Sequence, residues 1–519
     1  MGPASDIANS GGDNLVFSRL HRQAVAVLLV IFSLLCCSAA VAEKNWSINP
    51  GIQLSETYSD NVDPGSGEGN ESDFVTKINP VLQAELNGNR IQAYLDYRMQ
   101  NIFYARRNEN TTYHQYLALA SAEILSEHFF VDASSSQIQR NISSDGVRAR
   151  ENYIITDDRT NQLTASIRPS WYQSIGPNAE ALLDYEHGIV KYNDNGVLTT
   201  DSSLDSSSVA IYDSILDSAS LAIYSLAGEQ RLSWKINTQG QNIVYDDNAI
   251  DDVKLRNTGL LLGYRITPSV SSLAFTGYED NDFGDRLTTT DPKGAIWALG
   301  FSWRPNARTE LEALAGDRFF GNTYRVEWRQ RARYFRSELS YNEAINGEVT
   351  SALEKVSLID SPYGYSNSSL SLTGNVFLSK ILRASASFEK SRTLITITPY
   401  YEKREFEISA EDETVSGITG NWRWAFAPRT TFTLTMHRDK TDKSGGVVDQ
   451  TFTWSDVQLE RRLGKQTTAS IKYSYTKSGS ADSQDAYTEN AITVQLAHFF
   501  GTPTRETSAL PSRRYQGQL

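Results

Sequence analysis

Apolar and polar residues alternate with a period of two through most of the chain after residue 45. One stretch has an unbroken apolar parity, formed by Ala295, Trp297, Leu299, Phe301 and Trp303. Such alternation is typical of β-strands, and convincing helical periodicity is absent after residue 42. The alternating stretches run for roughly 10 to 14 residues, close to the roughly 9–11 that a tilted strand needs to cross lipid. The pattern predicts an all-β fold.

Polar connections of two lengths separate the alternating stretches. Short connections are predicted at 87–89, 175–178, 267–269, 305–307, 428–429 and 464–466. Long connections are predicted at 59–73, 141–158, 193–217, 281–292, 346–375, 405–414, 441–449 and 478–486. The two lengths mostly alternate, as in outer-membrane barrels with short periplasmic turns and long outer loops. We therefore predict a transmembrane, antiparallel up-and-down β-barrel of about 22 strands, within a range of 18–24.

The parity opposite the apolar one is rich in charged side chains. Burying such ions in a dry core costs several kcal/mol each, whereas a water-filled lumen removes that cost. We predict that the lumen is lined by Tyr94, Asp96, Arg98, Asp184, Glu186, Glu310, Glu312, Arg325, Glu327, Arg329, Arg336, Glu338 and Lys472. A soluble β-sandwich or propeller is the alternative. The strand length, the charged inner parity and the lack of a blade-like repeat argue against it.

Aromatic residues cluster near the predicted strand ends, where a barrel has its two membrane interfaces. On the short-turn side we expect a girdle of Trp46, Trp171, Trp303, Phe426 and Phe500. On the long-loop side we expect a girdle of Tyr58, Tyr104, Tyr192, Tyr245 and Tyr341.

The stretch 491–500, AITVQLAHFF, is predicted to be the end of the closing strand. Its apolar parity should face lipid and resembles the C-terminal signal that barrel-assembly machinery recognises; its members are Ile492, Val494, Leu496 and Phe500. The opposite parity, Thr493, Gln495 and Ala497, should face the lumen. We expect residues 501–519 to be a flexible periplasmic tail.

The N-terminal residues 1–42 are predicted to be a secretory signal peptide. Arg19 and Arg22 precede an apolar run at 24–35, and small residues at 40–42 fit cleavage after Ala42. An uncleaved membrane anchor is the alternative. Both cysteines, Cys36 and Cys37, lie in this segment, so the mature chain has no disulfide. The predicted layout is a signal peptide at 1–42, a barrel at 43–500 located in the outer membrane, and the tail.

Charge and motifs exclude several functions. The formal net charge is -13, which argues against a nucleic-acid partner because such proteins carry basic surfaces. The histidines are scattered without metal-ligand spacing, and no nucleophile motif or phosphate-binding loop is present. We therefore expect no enzymatic activity, no cofactor and no dedicated metal site. Calcium binding by the acidic segments 246–252 and 279–285 remains open.

Several stretches, taken in order, resemble the outer-membrane β-barrel family associated with PEP-CTERM/exosortase systems of Gram-negative bacteria. They are INPGIQLSETYSDNV (48–62), INPVLQAEL (78–86), GYEDNDF (277–283), GDRFFGNTYRVEW (316–328), WRWAFAPRT (422–430) and YTENAITVQLAHFF (487–500). The resemblance covers most of the mature chain. It implies a genetic link to exopolysaccharide synthesis and a role in polymer export or surface assembly, and it brings no catalytic residues.

The leading hypothesis is a passive outer-membrane channel that assists exopolysaccharide export. A barrel of this size has a wide lumen, either open or plugged by its own loops. Tyr94, on the inner parity, is a candidate to stack on sugar rings. The expected partners are outer-membrane lipid, the barrel-assembly machinery, and polysaccharide or periplasmic export components. A general porin or solute channel, and a non-conducting surface scaffold that binds polysaccharide or proteins, are the alternatives.

Overall fold

The fold is described from a computed structural model of the chain. The described residues are 46–64, 70–107, 110–142, 147–193, 196–198, 209–226, 231–246, 251–283, 292–347, 349–350, 352–353, 376–406, 412–444, 450–479 and 486–501. The predicted signal peptide at 1–42, most of the predicted tail, part of the connection 193–217 and most of the connection 346–375 lie outside them.

Twenty-two strands form one closed antiparallel sheet, so the predicted barrel and its strand number are confirmed. The barrel strands are β1 (Trp46–Ser59), β2 (Asp73–Asn87), β3 (Ile91–Tyr104), β4 (Thr111–Leu125), β5 (Phe129–Asn141), β6 (Arg159–Ile175), β7 (Ala179–Tyr192), β10 (Ser214–Ser225), β11 (Leu232–Tyr245), β12 (Val253–Thr267), β13 (Val270–Asp282), β14 (Lys293–Asn306), β15 (Thr309–Arg318), β16 (Gly321–Arg331), β17 (Phe335–Gly347), β18 (Val376–Lys390), β19 (Thr393–Phe406), β20 (Glu413–Ala427), β21 (Thr430–Lys443), β22 (Gln450–Arg462), β23 (Thr467–Gly479) and β24 (Tyr487–Phe499). The short strands β8 (Gly196–Leu198) and β9 (Val209–Ile211) form a separate two-stranded sheet.

The first and last strands close the barrel. β1 pairs with β24 from Gly51 opposite Phe499 to Ser59 opposite Ala491, so the sheet has no free edge. Closure matters in lipid because an open edge would leave backbone N–H and C=O groups without partners. The first residue of β1 and the last residue of β24 lie on the side of the barrel where short turns join the strands, and this side is here called the short-turn end. The opposite side, with connections such as 142–158, is called the long-loop end.

One predicted connection was partly wrong. Residues 193–217 were expected to be a loop, but β10 already begins at Ser214 and pairs with β7 and β11. The serines and aspartates before Ile215 were read as part of a loop because they are polar. In a barrel, however, strand residues that face the lumen can be polar as well.

The outer face of the barrel is an apolar belt. Large apolar side chains are exposed along it, including Ile48 at 60 %, Leu299 at 60 % and Val494 at 56 %. Exposure at this level on strand after strand is what a lipid-facing surface requires and what a water-soluble protein avoids. No helix in the described part of the chain is long and apolar enough to cross a membrane. The closed antiparallel sheet and its exposed apolar belt identify a membrane-spanning barrel of the outer-membrane type.

The aromatic residues of the two expected girdles divide into two groups. Trp46, Trp171, Trp303, Phe426, Phe500 and Tyr58 are all exposed on the outer face. Tyr341 has the outward parity and is half-buried, with its hydroxyl donating to Glu343 Oε1 at 2.6 Å. Three assignments were wrong: Tyr104, Tyr192 and Tyr245 are 6–9 % exposed and lie on the inner parity. Their rings are buried inside the barrel, where chain segments cover the wall near the long-loop end.

The closing strand has the expected two faces. Ile492, Val494 and Leu496 are exposed on the outside, and Phe500 follows the last strand residue with 63 % exposure. On the other parity, Thr493 and Ala497 are buried, and the Thr493 hydroxyl lies 3.0 Å from that of Thr57. Gln495 shares this parity and is half-buried.

Candidate lumenal constriction

Residues 147–158, which connect β5 to β6, fold into the barrel and are here called the inner loop. Its side chains reach β21 and β22 on a distant part of the wall. From β5 that wall is reached through β4, β3, β2, β1, β24, β23 and β22 to β21, which is eight steps in a ring of 22 strands. A loop that joins neighbouring strands and contacts strands this far away must pass through the lumen.

Two arginines fix the inner loop to the far wall. The Arg148 guanidinium donates to both carboxylate oxygens of Asp439 at 2.9 and 3.1 Å, and the two side chains are only 7 % and 0 % exposed. Arg150 makes the same fork with Asp456, with one bond of 2.7 Å. Bidentate pairs of this kind are short, directional and strong. The two carboxylates thus set both the position and the orientation of the loop.

Aromatic rings stack on both guanidinium groups. The Arg148 guanidinium lies 4.4 Å from the centroid of the Phe452 ring, and that of Arg150 lies 3.9 Å from the Trp454 ring. A cation over a ring face gains further stabilisation when water is excluded. The aromatic side chains on β22 therefore shape the two arginine sites from one side while the carboxylates bind them end-on.

Glu151 is placed between two lysines of the wall. Its carboxylate accepts from Lys472 Nζ at 2.8 Å and lies 3.7 Å from Lys77 Nζ. Burial alone would raise the pKa of Glu151, but Lys472, Lys77 and the nearby Arg150 outweigh it and hold that pKa well below its usual range. The residue is therefore ionised throughout the neutral and mildly acidic range, and it neutralises part of the positive charge on this wall.

The middle of the inner loop is packed between β3 and β24. Tyr153 is 1 % exposed, and its hydroxyl donates to Glu489 Oε1 at 2.8 Å. Its carbonyl oxygen accepts from the Tyr104 hydroxyl at 2.7 Å. Ile154 lies in the same buried apolar cluster as Tyr153 and Tyr104. This cluster explains why Tyr104 points inward and does not contribute to a lipid-facing girdle.

The strand that follows the inner loop also holds it. Arg159, at the start of β6, donates to the backbone carbonyl groups of Glu151, Asn152 and Ile154 at 3.0–3.2 Å. From β24, the Tyr487 hydroxyl donates to the carbonyl oxygen of Arg148 at 2.9 Å. Backbone groups that have left the sheet are thus satisfied by side chains, as buried polar groups require.

A second chain segment enters the lumen from the connection between β17 and β18. Residues 349, 350, 352 and 353, here called the second inner segment, are helical, and the side chains of Val349 and Leu353 are buried. They pack against Val190, Tyr192 and other inward residues near the long-loop ends of β7 and β10–β12. A methyl group on Gly188 would lie 2.5 Å from Leu353, so the glycine leaves room for that side chain.

The predicted lumen-lining residues fall into three places. Arg325, Glu327, Arg329 and Glu310 form one ion-pair network near the short-turn end, in which Arg304 also binds Glu310. Glu312, Arg336 and Glu338 lie on adjoining strands with the same inward parity, and Arg336 is 3.9 Å from Glu389. Their side chains are half-buried to exposed, as in a hydrated wall.

The remaining predicted residues lie on the wall between β2 and β7 and on β23. Asp96 accepts from Gln83 at 3.0 Å and from the Tyr94 hydroxyl at 3.4 Å, and Arg98 is 4 % exposed. Asp184 and Glu186 share the inward parity of β7. Lys472 reaches the inner loop, where its Nζ donates to Glu151 Oε1 at 2.8 Å.

Sequence reasoning missed the inner loop itself. Asp439 and Asp456 were not among the predicted lumen-lining residues, and Arg148, Arg150 and Glu151 were counted only as part of a polar connection. One signal was present: Tyr153–Ile155 is an apolar triplet inside a long polar connection. Apolar residues in such a place indicate a segment that buries itself. No group of His, Cys, Asp and Glu side chains in the described residues is arranged to hold a metal ion.

Comparisons with known proteins concern the fold alone. No family model matches the chain, and no curated protein matches it. The siderophore receptor PirA from Acinetobacter baumannii has a similar structure, with a TM-score of 0.48 and 8 % identity over 87 % of this chain and 80 % of that one. An FrpB iron transporter variant from Neisseria meningitidis has a TM-score of 0.48 and 10 % identity over 88 % and 83 % of the two chains. The P. aeruginosa FpvA bound to heterologous pyoverdines has a TM-score of 0.46 and 11 % identity over 87 % and 72 %.

Proposed function

We propose that the chain is an outer-membrane channel for hydrophilic solutes, in which the inner loop narrows the lumen and sets what passes. The observation that supports this most directly is the attachment of the inner loop to the far wall by Arg148–Asp439 and Arg150–Asp456. A loop left free would sample many positions, whereas buried bidentate pairs hold one. A fixed constriction inside a hydrated wall is the arrangement that passive selective channels use.

The wall chemistry supports transport of hydrophilic cargo. The network of Arg325, Glu327, Arg329 and Glu310 offers charged groups to water at the short-turn end. Exposed pairs of this type contribute little to stability, at most about 1 kcal/mol each, so their value lies in hydrating the wall. We propose that transport through the barrel is passive.

Planar bilayer recordings test the channel. Purified barrel should give stepwise ionic conductance, and neutral polymers of increasing size should stop reducing it once they are too large to enter. Heat-denatured protein at the same concentration is the control. A barrel that inserts and is correctly folded yet carries no current would overturn the proposal.

For the cargo, we propose an exopolysaccharide chain on its way to the cell surface. The support is the sequence resemblance given above, together with a lumenal wall that carries Tyr94 beside Asp96. In a strain that makes the polymer, deletion of the gene should leave polymer in the periplasm, and the wild-type gene should restore export. Unchanged secretion by the deletion strain would rule out this cargo while leaving the channel untouched.

A non-conducting surface scaffold is the second candidate. The observation in its favour is that two separate segments, the inner loop and the second inner segment, both occupy the lumen. If the lumen is closed, bilayer recordings show no conductance, and binding of polymer or protein to the long-loop end becomes the function to test.

Delivery to the membrane is part of the same proposal. We propose that the signal peptide is cleaved after Ala42 and that the barrel-assembly machinery recognises the closing strand, with Phe500 as its last aromatic residue. N-terminal sequencing of the protein isolated from outer membranes should begin at Glu43. A chain that retains residues 1–42 would point to the membrane-anchor alternative.

A further inference from the structure

A pocket of about 330 Å³ opens on the outside of the barrel, across β7, β10, β11 and β12. Its lining includes Tyr185 from β7, Asp217 from β10, Asn242 from β11, and Lys254 and Arg256 from β12. The pocket is separate from the inner loop and plays no part in the proposed channel.

Strand parity places the pocket on the outer surface. Tyr185 is 43 % exposed and shares its parity with Leu183, which is 51 % exposed on the apolar belt. On β12, Arg256 shares its parity with Leu262 and Tyr264, which are exposed on the same belt. Successive residues of a strand point to opposite faces, so the pocket faces the membrane side.

The height of the pocket corresponds to the border of the membrane. Arg256 lies 11 residues from Thr267, the short-turn end of β12. With a rise of about 3.4 Å per residue and a tilt of about 40°, this is about 28 Å along the barrel axis. The apolar band of such barrels is about 25 Å tall. Arg256 and Lys254 therefore lie just beyond the apolar band, among lipid headgroups at the long-loop end.

The pocket combines cations with hydrogen-bonding groups. Lys254 and Arg256 are exposed and two residues apart on β12, so both side chains point outward from the outer face of the barrel. Gly240, opposite Arg256 on β11, leaves a depression, because a Cβ at this position would meet nothing within 4 Å. Asn242, opposite Lys254, adds an amide at the upper edge of the depression.

Two of the three carboxylates around the pocket have partners other than Lys254 and Arg256. Asp217 accepts from the Tyr185 hydroxyl at 2.6 Å and lies 2.8 Å from His187 Nδ1. On β13, Asp280 pairs with Lys293 at 2.9 Å, and Asp282 lies opposite Lys254. The surface is thus one of mixed charge, with two cations at the pocket, and a sugar hydroxyl has a carboxylate and an amide to bind.

We propose that this pocket binds the phosphorylated sugar headgroup of the anionic glycolipid in the outer leaflet. Lys254 and Arg256 take the phosphate, since a guanidinium and an ammonium are the side chains that bind phosphate most strongly. Asn242 and Asp217 bind the sugar, and the depression at Gly240 receives it. Basic pockets at the membrane border recognise anionic headgroups in this way.

Titration of the detergent-solubilised full barrel with diphosphoryl lipid A, followed by native mass spectrometry, tests the site. Wild-type protein should bind diphosphoryl lipid A more tightly than phosphatidylethanolamine. The double variant Lys254→Gln/Arg256→Gln should bind it about 30-fold more weakly, because each cation near a membrane surface contributes roughly a factor of five. Gly240→Val, which fills the depression and keeps both charges, should also weaken binding.

A second pair of outward cations provides the matched control. Arg438 and Lys440 have the same spacing on β21, and Lys440 already pairs with Asp442 at 2.6 Å. The variant Arg438→Gln/Lys440→Gln should bind lipid A as the wild type does. Equal weakening in the two double variants, or unchanged binding in Lys254→Gln/Arg256→Gln, would overturn the proposal. Channel conductance is measured in parallel, so a failure of this site is distinguishable from a failure of the proposed function.

Discussion

Replacement of Arg148 by alanine should release the inner loop from the far wall. The side chains of Arg148 and Asp439 are 7 % and 0 % exposed, so the substitution leaves a buried carboxylate without its main counter-ion. Removing one partner of a buried pair costs about 3–5 kcal/mol. His437 Nε2 still lies 3.1 Å from Asp439, which favours the lower end of that range. A loss of about 3 kcal/mol raises the population of the detached loop about 100-fold.

Thiol labelling measures that population. Ile154 is 1 % exposed and its side chain is apolar, and both native cysteines, Cys36 and Cys37, precede the predicted mature start. A cysteine introduced as Ile154→Cys is therefore the only thiol of the mature chain. If closing is fast relative to labelling, the rate of reaction with a bulky maleimide is proportional to the open fraction. Adding Arg148→Ala should raise that rate about 100-fold.

The control is an exposed ion pair of the same lumen. Arg336 and Glu389 are 3.9 Å apart and both are 67 % exposed, so Arg336→Ala should change the labelling rate by less than about fivefold. An unchanged rate in Arg148→Ala, or an equal increase in Arg336→Ala, would refute the reasoning that buried pairs hold the loop.

Four further outcomes are expected. Glu151→Gln should speed labelling by a constant factor from pH 8 to 5, and this factor should shrink only below about pH 4. The lowered pKa of Glu151 means that the ionised carboxylate stabilises the attached loop above the usual carboxylate range and loses this effect as the pH falls through the folded pKa. A factor that already shrinks near pH 6 would contradict this reasoning. Gly188→Val should displace the second inner segment and speed limited proteolysis at residues 349–353 roughly tenfold, whereas Gly420→Val, which meets nothing within 4 Å, should not. Leu299→Arg, on the apolar belt, should lower the free energy of folding into lipid vesicles by about 2–4 kcal/mol in denaturant titrations, and an unaffected midpoint would place this face away from lipid. Truncation after Phe500 should leave assembly intact, and absence of the truncated barrel from isolated outer membranes would show that the tail is needed.

The barrel was predictable because one physical rule acts on every strand. Lipid on one side and water on the other force alternation, as Ala295–Trp303 shows, and closure follows from the need to pair every backbone group. The same rule also explains the wrong girdle assignments. Tyr104 was assigned to lipid from its position near a strand end, although its parity matches that of Arg98 and not that of Phe103.

The inner loop was not predictable in the same way because its partners are far apart in sequence. Arg148 and Asp439 are separated by 291 positions, and Arg150 and Asp456 by 306. The alternation of the sequence predicts that Asp439 and Asp456 face inward. It is the same whether an inward carboxylate faces water or an arginine of a loop, so it cannot identify the partner. Only the folded barrel brings these charges together and shows that the polar wall is partly filled by the chain itself.

Single-channel recording of the wild-type barrel beside a variant that lacks residues 147–156 tests the central claim most directly. If the inner loop is the constriction of a channel, both proteins conduct, and the deletion variant shows the larger unitary conductance and admits larger neutral polymers. Equal unitary conductance in the two proteins, or no conductance in either, would contradict the account.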